Sequence, residues 1–458
     1  MTYIKQMSKS LNNFPKKYYN IKSIQIERGD KMNYKKTEIK KGISLHTINT
    51  DRFKTNLMAM FVTTPLSKDN ITKNTLLNLV LRRGSRNMPS QEEISMCLEE
   101  MYGASFDCGV EKTGENHVMK FYMEVLNDEY LPEGENIFTK ATNKLFEIVF
   151  DPLTENNGFK EDFLNGEKNS LEQIINSKKD NKGNYALDRC IEEMYKDKPY
   201  GLYKYGYVED IEEISKENLY EHYKKLISEA KIDIFVSGKI EDNILGQISE
   251  NENIKKLKER EANYIIDNQN IDLKDDKKES SDINIVEEKM DVMQGKLVLG
   301  LDIDDISLES KYIALVYNTI LGGTANSKLF QNVREKANLA YVAGSNYLKS
   351  KNNIFVRAGI EIGNYEKALN ITKEQIKDME KGNFSDEDVN NAKQFIISTI
   401  KGIPNEQDAE ITYYLGQELS NTKISIEEYI NKIESVTFND IKDLANKVNI
   451  NIIYFLRN

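Results

Sequence analysis

The chain has 458 residues, 39% of them hydrophobic, with 74 acidic against 63 basic side chains and a formal charge of −11. That length suffices for two to four domains with a large core. The acidic surplus repels phosphate, which argues against nucleic acid or an anionic membrane as partner, and no run reaches the roughly 18 apolar residues of a membrane span.

The first 31 residues are Lys-, Asn- and Tyr-rich, without an apolar stretch of the secretory kind, and residues 1–34 are expected to be a poorly ordered tail. The segment IERGDK before Met32 would have purine-rich codons, like a ribosome-binding site, so translation is expected to begin at Met32 rather than Met1.

From about residue 40 the pattern alternates between strand and helix. LMAMFVT, Leu57 to Thr63, reads as a buried strand, and Asn70 to Arg83 as a helix stopped by Gly84. Ser90 followed by Glu93 is a capping box that opens a second helix, to about Met101. NHVMKFYMEV, Asn116 to Val125, has strand composition. Helical periodicity returns near 136–149, 160–178, 183–196 and 215–228, before a strand at Ile232 to Ser237. Residues 241–290 are charge-dense and poor in aromatics, and are expected to form a linker with at most one short helix.

The pattern then starts again. KLVLGLD (Lys296 to Asp302) is a strand and Leu308 to Leu321 a helix ending at Gly322-Gly323. Ser327 to Ala337 is a further helix, Leu339 to Val342 opens a strand, and NIFVRAGIEI (Asn353 to Ile362) is another. At an offset of 237 residues Asn116, Lys120, Glu124 and Val125 fall on Asn353, Arg357, Glu361 and Ile362, and a helix stopping at glycine precedes each. Two copies of one α+β unit, 35–240 and 291–458, account for this order better than chance likeness between two amphipathic strands.

Chemistry-bearing residues are few. Cys97, Cys108 and Cys190 contain no CxxC pair, which suits inert thiols in a reducing cytoplasm. His46, His117 and His222 are the only histidines. None has another His or a Cys within four residues, so a two-histidine zinc motif on one helix is excluded, and little remains for a Ser-His-Asp or Cys-His site.

LGGTANSKLFQNVREKANLAYVAGS, residues 321–345, is the most specific segment. Leu329, Phe330, Val333 and Ala337 make its apolar stripe, Arg334 borders that stripe, and Asn338 stands where a helix stops with a left-handed residue. This segment resembles the signature of the insulinase/pitrilysin-like metallopeptidases, which include mitochondrial processing peptidase. The resemblance runs over roughly residues 35–458. It implies two homologous α+β domains, each a mostly antiparallel sheet packed with helices, and a substrate-binding role for Arg334 and Tyr341. A guanidinium and a phenol there would donate hydrogen bonds to a peptide's carbonyls. The bland alternative pairs Arg334 with a surface carboxylate and puts Tyr341 in the core.

In active members the first-half helix carries HxxEH. Aligned on Arg83-Gly84-Ser85, the two histidines fall at Thr75 and Leu79 and the glutamate at Asn78. The family's third ligand lies seven residues after another Glu; here Glu167 is followed by Ile174, and Glu172 points some 160° away round the helix. The resemblance therefore implies no catalytic residue, no metal and no cofactor. It points to a cytoplasmic, non-catalytic subunit that completes the peptide chamber of a zinc-bearing homologue. The alternative is a non-proteolytic accessory factor in 5-aminopentanol modification of elongation factor P.

Overall fold

A computed structural model describes residues 34–266, 283–305 and 307–458. Residues 1–33 of the expected tail, with the Met32 start, lie outside them, whereas Tyr34 already belongs to the first strand. The hairpin β1 (Tyr34–Lys40) and β2 (Ile43–Asn49) turns at Gly42, whose φ of 80° suits a residue without Cβ. β3 (Thr55–Pro65) is buried along nearly its whole length. α1 (Lys68–Leu81) follows, capped by Ser67, whose side chain accepts from the Asp69 amide. The helix therefore begins two residues before the expected Asn70. α2 (Gln91–Glu100) starts at Ser90 as expected, but the box is half made: Ser90 accepts from the Glu93 amide and no return bond is present.

β4 (Ser105–Thr113) and β5 (Asn116–Leu126) form the next hairpin. α3 (Ile137–Phe150), the two-residue strands β6 (Thr154–Glu155) and β7 (Gly158–Phe159), α4 (Glu161–Asn176) and α5 (Lys182–Met194) come next. α6 (Val208–Ile211), α7 (Lys216–Glu229) and β8 (Lys231–Gly238) complete the first half.

The stretch read as a linker has more structure than its composition suggests. α8 (Ile244–Glu250) and α9 (Glu252–Lys256) bury Ile244, Ile248, Ile254 and Leu257 in the first core, and β9 (Asn284–Lys289) joins the second sheet. A few well-spaced apolar anchors outweigh a polar average, because each buried side chain contributes on its own. Residues 267–282 lie outside the described residues.

The second half runs β10 (Gly295–Ile303), α10 (Ser310–Asn318), β11 (Ala340–Leu348), β12 (Asn353–Ile360), α11 (Tyr365–Lys381), α12 (Asp386–Gly402), α13 (Gln407–Leu419), α14 (Ile426–Ser435), α15 (Phe438–Ala445) and β13 (Val448–Arg457). Its five strands stand in the order β9-β13-β10-β12-β11, which repeats β2-β8-β3-β5-β4 of the first sheet. In each sheet the outermost of these pairs, β2 with β8 and β9 with β13, is the parallel one. The registers agree too: Phe61 faces Lys120 in the first sheet and Val298 faces Arg357 in the second. Each half is thus an α+β unit built on a mostly antiparallel sheet, and the repeat seen in the sequence is a repeat of topology.

Each sheet has one face on a core formed with its own half's helices. The other faces are covered by exchange. α13 of the second half lays Ile411, Leu415 and Leu419 on Leu57, Phe61 and Phe235 of the first sheet. α5 of the first half lays Tyr185, Ala186 and Cys190 on Val298, Phe355 and Tyr454 of the second.

Candidate functional site

The face of α1 that would hold zinc in an active relative is filled by the chain itself. Thr75, Asn78 and Leu79 are 3%, 1% and 9% exposed. The Thr75 hydroxyl donates to the Ile71 carbonyl one turn back (3.0 Å), with the Lys204 carbonyl at 3.4 Å. Asn78 Nδ2 donates to the Lys120 carbonyl of β5 (3.4 Å), and the Cys108 thiol sits 3.7 Å from the Asn78 carbonyl. Burial pushes that thiol up to about 12, so it is not a thiolate ligand at neutral pH. Leu79 belongs to the first core, and Ile174 of α4 packs against the same core.

α4 also brings Glu167 to α1, where Arg83 approaches to 3.4 Å. Glu167 is 2% exposed, and its second oxygen and the Arg83 Nε are buried without partners. α4 thus packs beside the end of α1 around a salt bridge and aliphatic side chains. A hydroxyl already donating to backbone, an amide, a leucine and an isoleucine offer no ligand set for zinc. These residues do not fit the metal.

The histidines are engaged elsewhere. His117 donates from Nε2 to the Lys204 carbonyl (2.9 Å), and His222 donates from Nε2 to the Asn74 side-chain oxygen (2.7 Å). The Asn74 amide in turn lies 3.2 Å from His117 Nδ1, so one asparagine bridges both rings. Burial drives each ring down to about 4. His46 is the third, and with Asp233 and Glu418 it makes the one group among the described residues whose ligand atoms could surround a cation. Sequence reasoning missed this group, because its members lie on β2, β8 and α13, far apart in the chain. Its cationic place is taken: Lys231 pairs with Asp233 and Lys36 pairs with Glu418 at 2.5 Å. Burial raises the Asp233 pKa, but Lys231 and His46 outweigh it and hold the carboxyl well below the usual carboxylate range.

The segment 321–345 departs from the expected α-helices. α10 runs into a π-helical turn, Thr319–Gly323, and Phe330–Lys336 is π-helical as well. Such turns insert a residue and redirect the side chains that follow. A Cβ on Gly322 would lie 2.4 Å from Ser345 Oγ and 2.5 Å from the Ser345 amide, so the glycine lets the turn lie directly on β11. Asn338 has φ of 51°, the left-handed stop that its sequence position suggested.

Arg334 lies over the Phe330 ring (4.5 Å) and 3.6 Å from its neighbour Glu335. Tyr341 is the extra residue of a bulge: Ala340 pairs with Ile360 and Val342 already with Gly359. Tyr341 is 62% exposed on the edge strand β11 and is not a core residue. Among the described residues, no hydrogen bond or ion pair links either side chain to the α1–α4 pair.

The comparisons with known proteins agree with this geometry. The family profile described as "Peptidase M16 inactive domain" matches residues 213–396. A "Probable inactive metalloprotease YmfF" from Bacillus subtilis (strain 168) is 34% identical over 417 residues, covering 91% of this chain and 96% of the relative. This chain belongs to the M16 peptidase family. An "Uncharacterized zinc protease" of Rickettsia felis is 26% identical over 278 residues, 59% of this chain and 63% of that protein. Among solved structures, a conserved protein from Enterococcus faecalis V583 superposes with a TM-score of 0.83 at 28% identity, covering 93% of this chain and 98% of that one. An M16 inactive domain from Pseudomonas fluorescens gives 0.74 at 18% identity with the same coverage. Within this M16 family, the altered α1 face marks a peptidase homologue that is catalytically inactive by itself.

Proposed function

We propose that this M16 homologue is the non-catalytic subunit of a two-subunit zinc peptidase in the cytoplasm. It binds an extended peptide in a chamber completed by a zinc-bearing homologous partner, and Arg334 and Tyr341 are its substrate-facing donors. The observation that carries this reading is the contrast between the two halves. The α1 face is buried and its polar groups are spent on backbone carbonyls, whereas Arg334 and Tyr341 stand free of the core, on a π-helical turn and a bulge. A guanidinium and a phenol so presented can donate to a substrate's carbonyls and to charge that develops on them. The three cysteines are free thiols, in keeping with a reducing compartment, and no helix among the described residues is long and apolar enough to cross a membrane. The elongation factor P reading gains no support from the comparisons.

The test is reconstitution with a zinc-bearing M16 homologue from the same cells. Arg334→Ala and Tyr341→Phe are each expected to lower kcat/KM of the complex by roughly a hundredfold to a thousandfold, the scale of losing one donor near the reacting carbonyl, with the complex still formed. A homologue that cleaves as fast alone as in the mixture defeats the proposal.

A further inference from the structure

At one end of the first sheet β3 begins, β5 and β8 end, and the chain turns into α3 and α8. These ends surround a cleft of about 430 Å³, within the range of roughly 300–1,000 Å³ usual for small-molecule sites. Neither Arg334 nor Tyr341 lines it, so its test stands apart from the peptidase reading.

Two polar groups on its wall are left unmatched. Asn56 of β3 is 5% exposed. Its side-chain oxygen lies against Gly238, where a Cβ would run into it, and the Asn127 amide approaches that oxygen at 3.5 Å. The Asn56 side-chain nitrogen has no acceptor among the described residues. The Thr139 hydroxyl, in the first turn of α3, lines the same cleft and is buried without a partner. Buried donors are seldom left unmade, because each then forfeits its hydration for nothing. Two of them on one cleft form a wall suited to a hydrogen-bond acceptor.

The charge there is negative. Asp128, Glu129, Glu241 and Asp242 line the cleft against a single lysine, Lys239, which is paired with Glu129. One oxygen of Asp128 accepts from the Ile137 amide at 2.8 Å and the Phe138 amide at 3.3 Å, and Asn136 accepts from the Thr139 amide. The start of α3 is therefore already capped, and with an acid, so it does not call for an anion. The second Asp128 oxygen and the exposed Asp242 carboxylate have no partner among the described residues. Phe138 and Ile244 add an apolar surface.

We propose that this cleft binds a small primary ammonium compound with a neutral acceptor next to its charge, the α-amino amide being the simplest class. The ammonium group meets Asp128 and Asp242, the carbonyl oxygen accepts from Asn56 and Thr139, and an apolar side chain rests on Phe138 and Ile244. A free amino acid fits worse, because its carboxylate would face three acids that no lysine neutralises.

Calorimetric titration of the full chain with L-leucinamide at pH 7 tests this. Saturable binding is expected, at least tenfold weaker for leucine and for N-acetyl-leucinamide, which lacks the charge. It should also weaken as pH rises through about 8, where an α-amino group loses its proton. Asp242→Asn, an exposed change, and Thr139→Val, whose hydroxyl has no partner to lose, should each weaken binding at least threefold without lowering the unfolding temperature. Both a free amide and the amino end of a polypeptide offer this chemistry. Equal or tighter binding of leucyl-triglycine amide assigns the cleft to a polypeptide's amino end, and its exclusion to a free compound. Absence of binding, equal binding of the acetylated amide, or unchanged affinity in both variants overturns the proposal. So does binding that appears only when residues 1–33 are removed, which assigns the cleft to this chain's own segment.

Discussion

Asn74 holds two imidazoles at once, and both are uncharged because burial has driven their pKa values to about 4. The sign of the resulting pH effect follows directly. Between about 4 and the ordinary histidine value near 6.5, the unfolded chain binds protons at His117 and His222 that the folded chain refuses. Stability is then fully present above pH 6.5 and is lost as pH falls toward 4, with a slope approaching two protons taken up on unfolding. Urea titrations at closely spaced pH values check this, and His117→Gln combined with His222→Gln should flatten the slope. A slope of the same size in the double variant would place the titration elsewhere. At this scale the sequence was legible by subtraction: the scarcity of histidine already excluded a paired zinc motif. It could not show where the three rings go, since each ring has a partner dozens of residues away.

Gly322 and Gly323 look alike in the sequence, but the packed elements separate them. A methyl group at Gly322 meets the Ser345 side chain and backbone at 2.4–2.5 Å, whereas at Gly323 the nearest atom is 3.4 Å away. Gly322→Ala is expected to cost about 2 kcal/mol through forced overpacking, and Gly323→Ala well under 1 kcal/mol. Chemical denaturation of the two variants decides it; equal losses would mean that the turn does not rest on β11 as described. Because β11 carries Tyr341, Gly322→Ala should also displace that ring. The strands and most helices were readable from apolar periodicity. The π-helical turns were not, because an apolar stripe at i and i+4 fits either winding and only the bond to the fifth residue distinguishes them.

Helix exchange joins the two halves across the whole molecule. α13 is fastened to the first sheet by Glu418, which meets Lys36, and by stacking of Tyr414 on Tyr34 at 3.8 Å. Gln407 at its other end donates to the Ser237 carbonyl of β8 (2.9 Å). α5 is fastened to the second sheet through Glu288, Asn353 and Arg357. Neither half can lose its sheet without baring the face its helix covers on the other. The prediction is a single unfolding transition for the described body, which Glu418→Gln shifts to lower denaturant without splitting. Coincident circular dichroism and fluorescence curves test it. Two resolved transitions would mean that the exchanged helices are loosely held.

The sequence by itself determined the repeated unit through period and spacing, and the resemblance of residues 321–345 to a known family implied the M16 assignment and the blank zinc positions. Only the tertiary structure decided which helix covers which sheet and how Tyr341 comes to be exposed. Those depend on contacts between residues far apart in the chain, and a hydrophobic stripe records that it will be buried without recording against what.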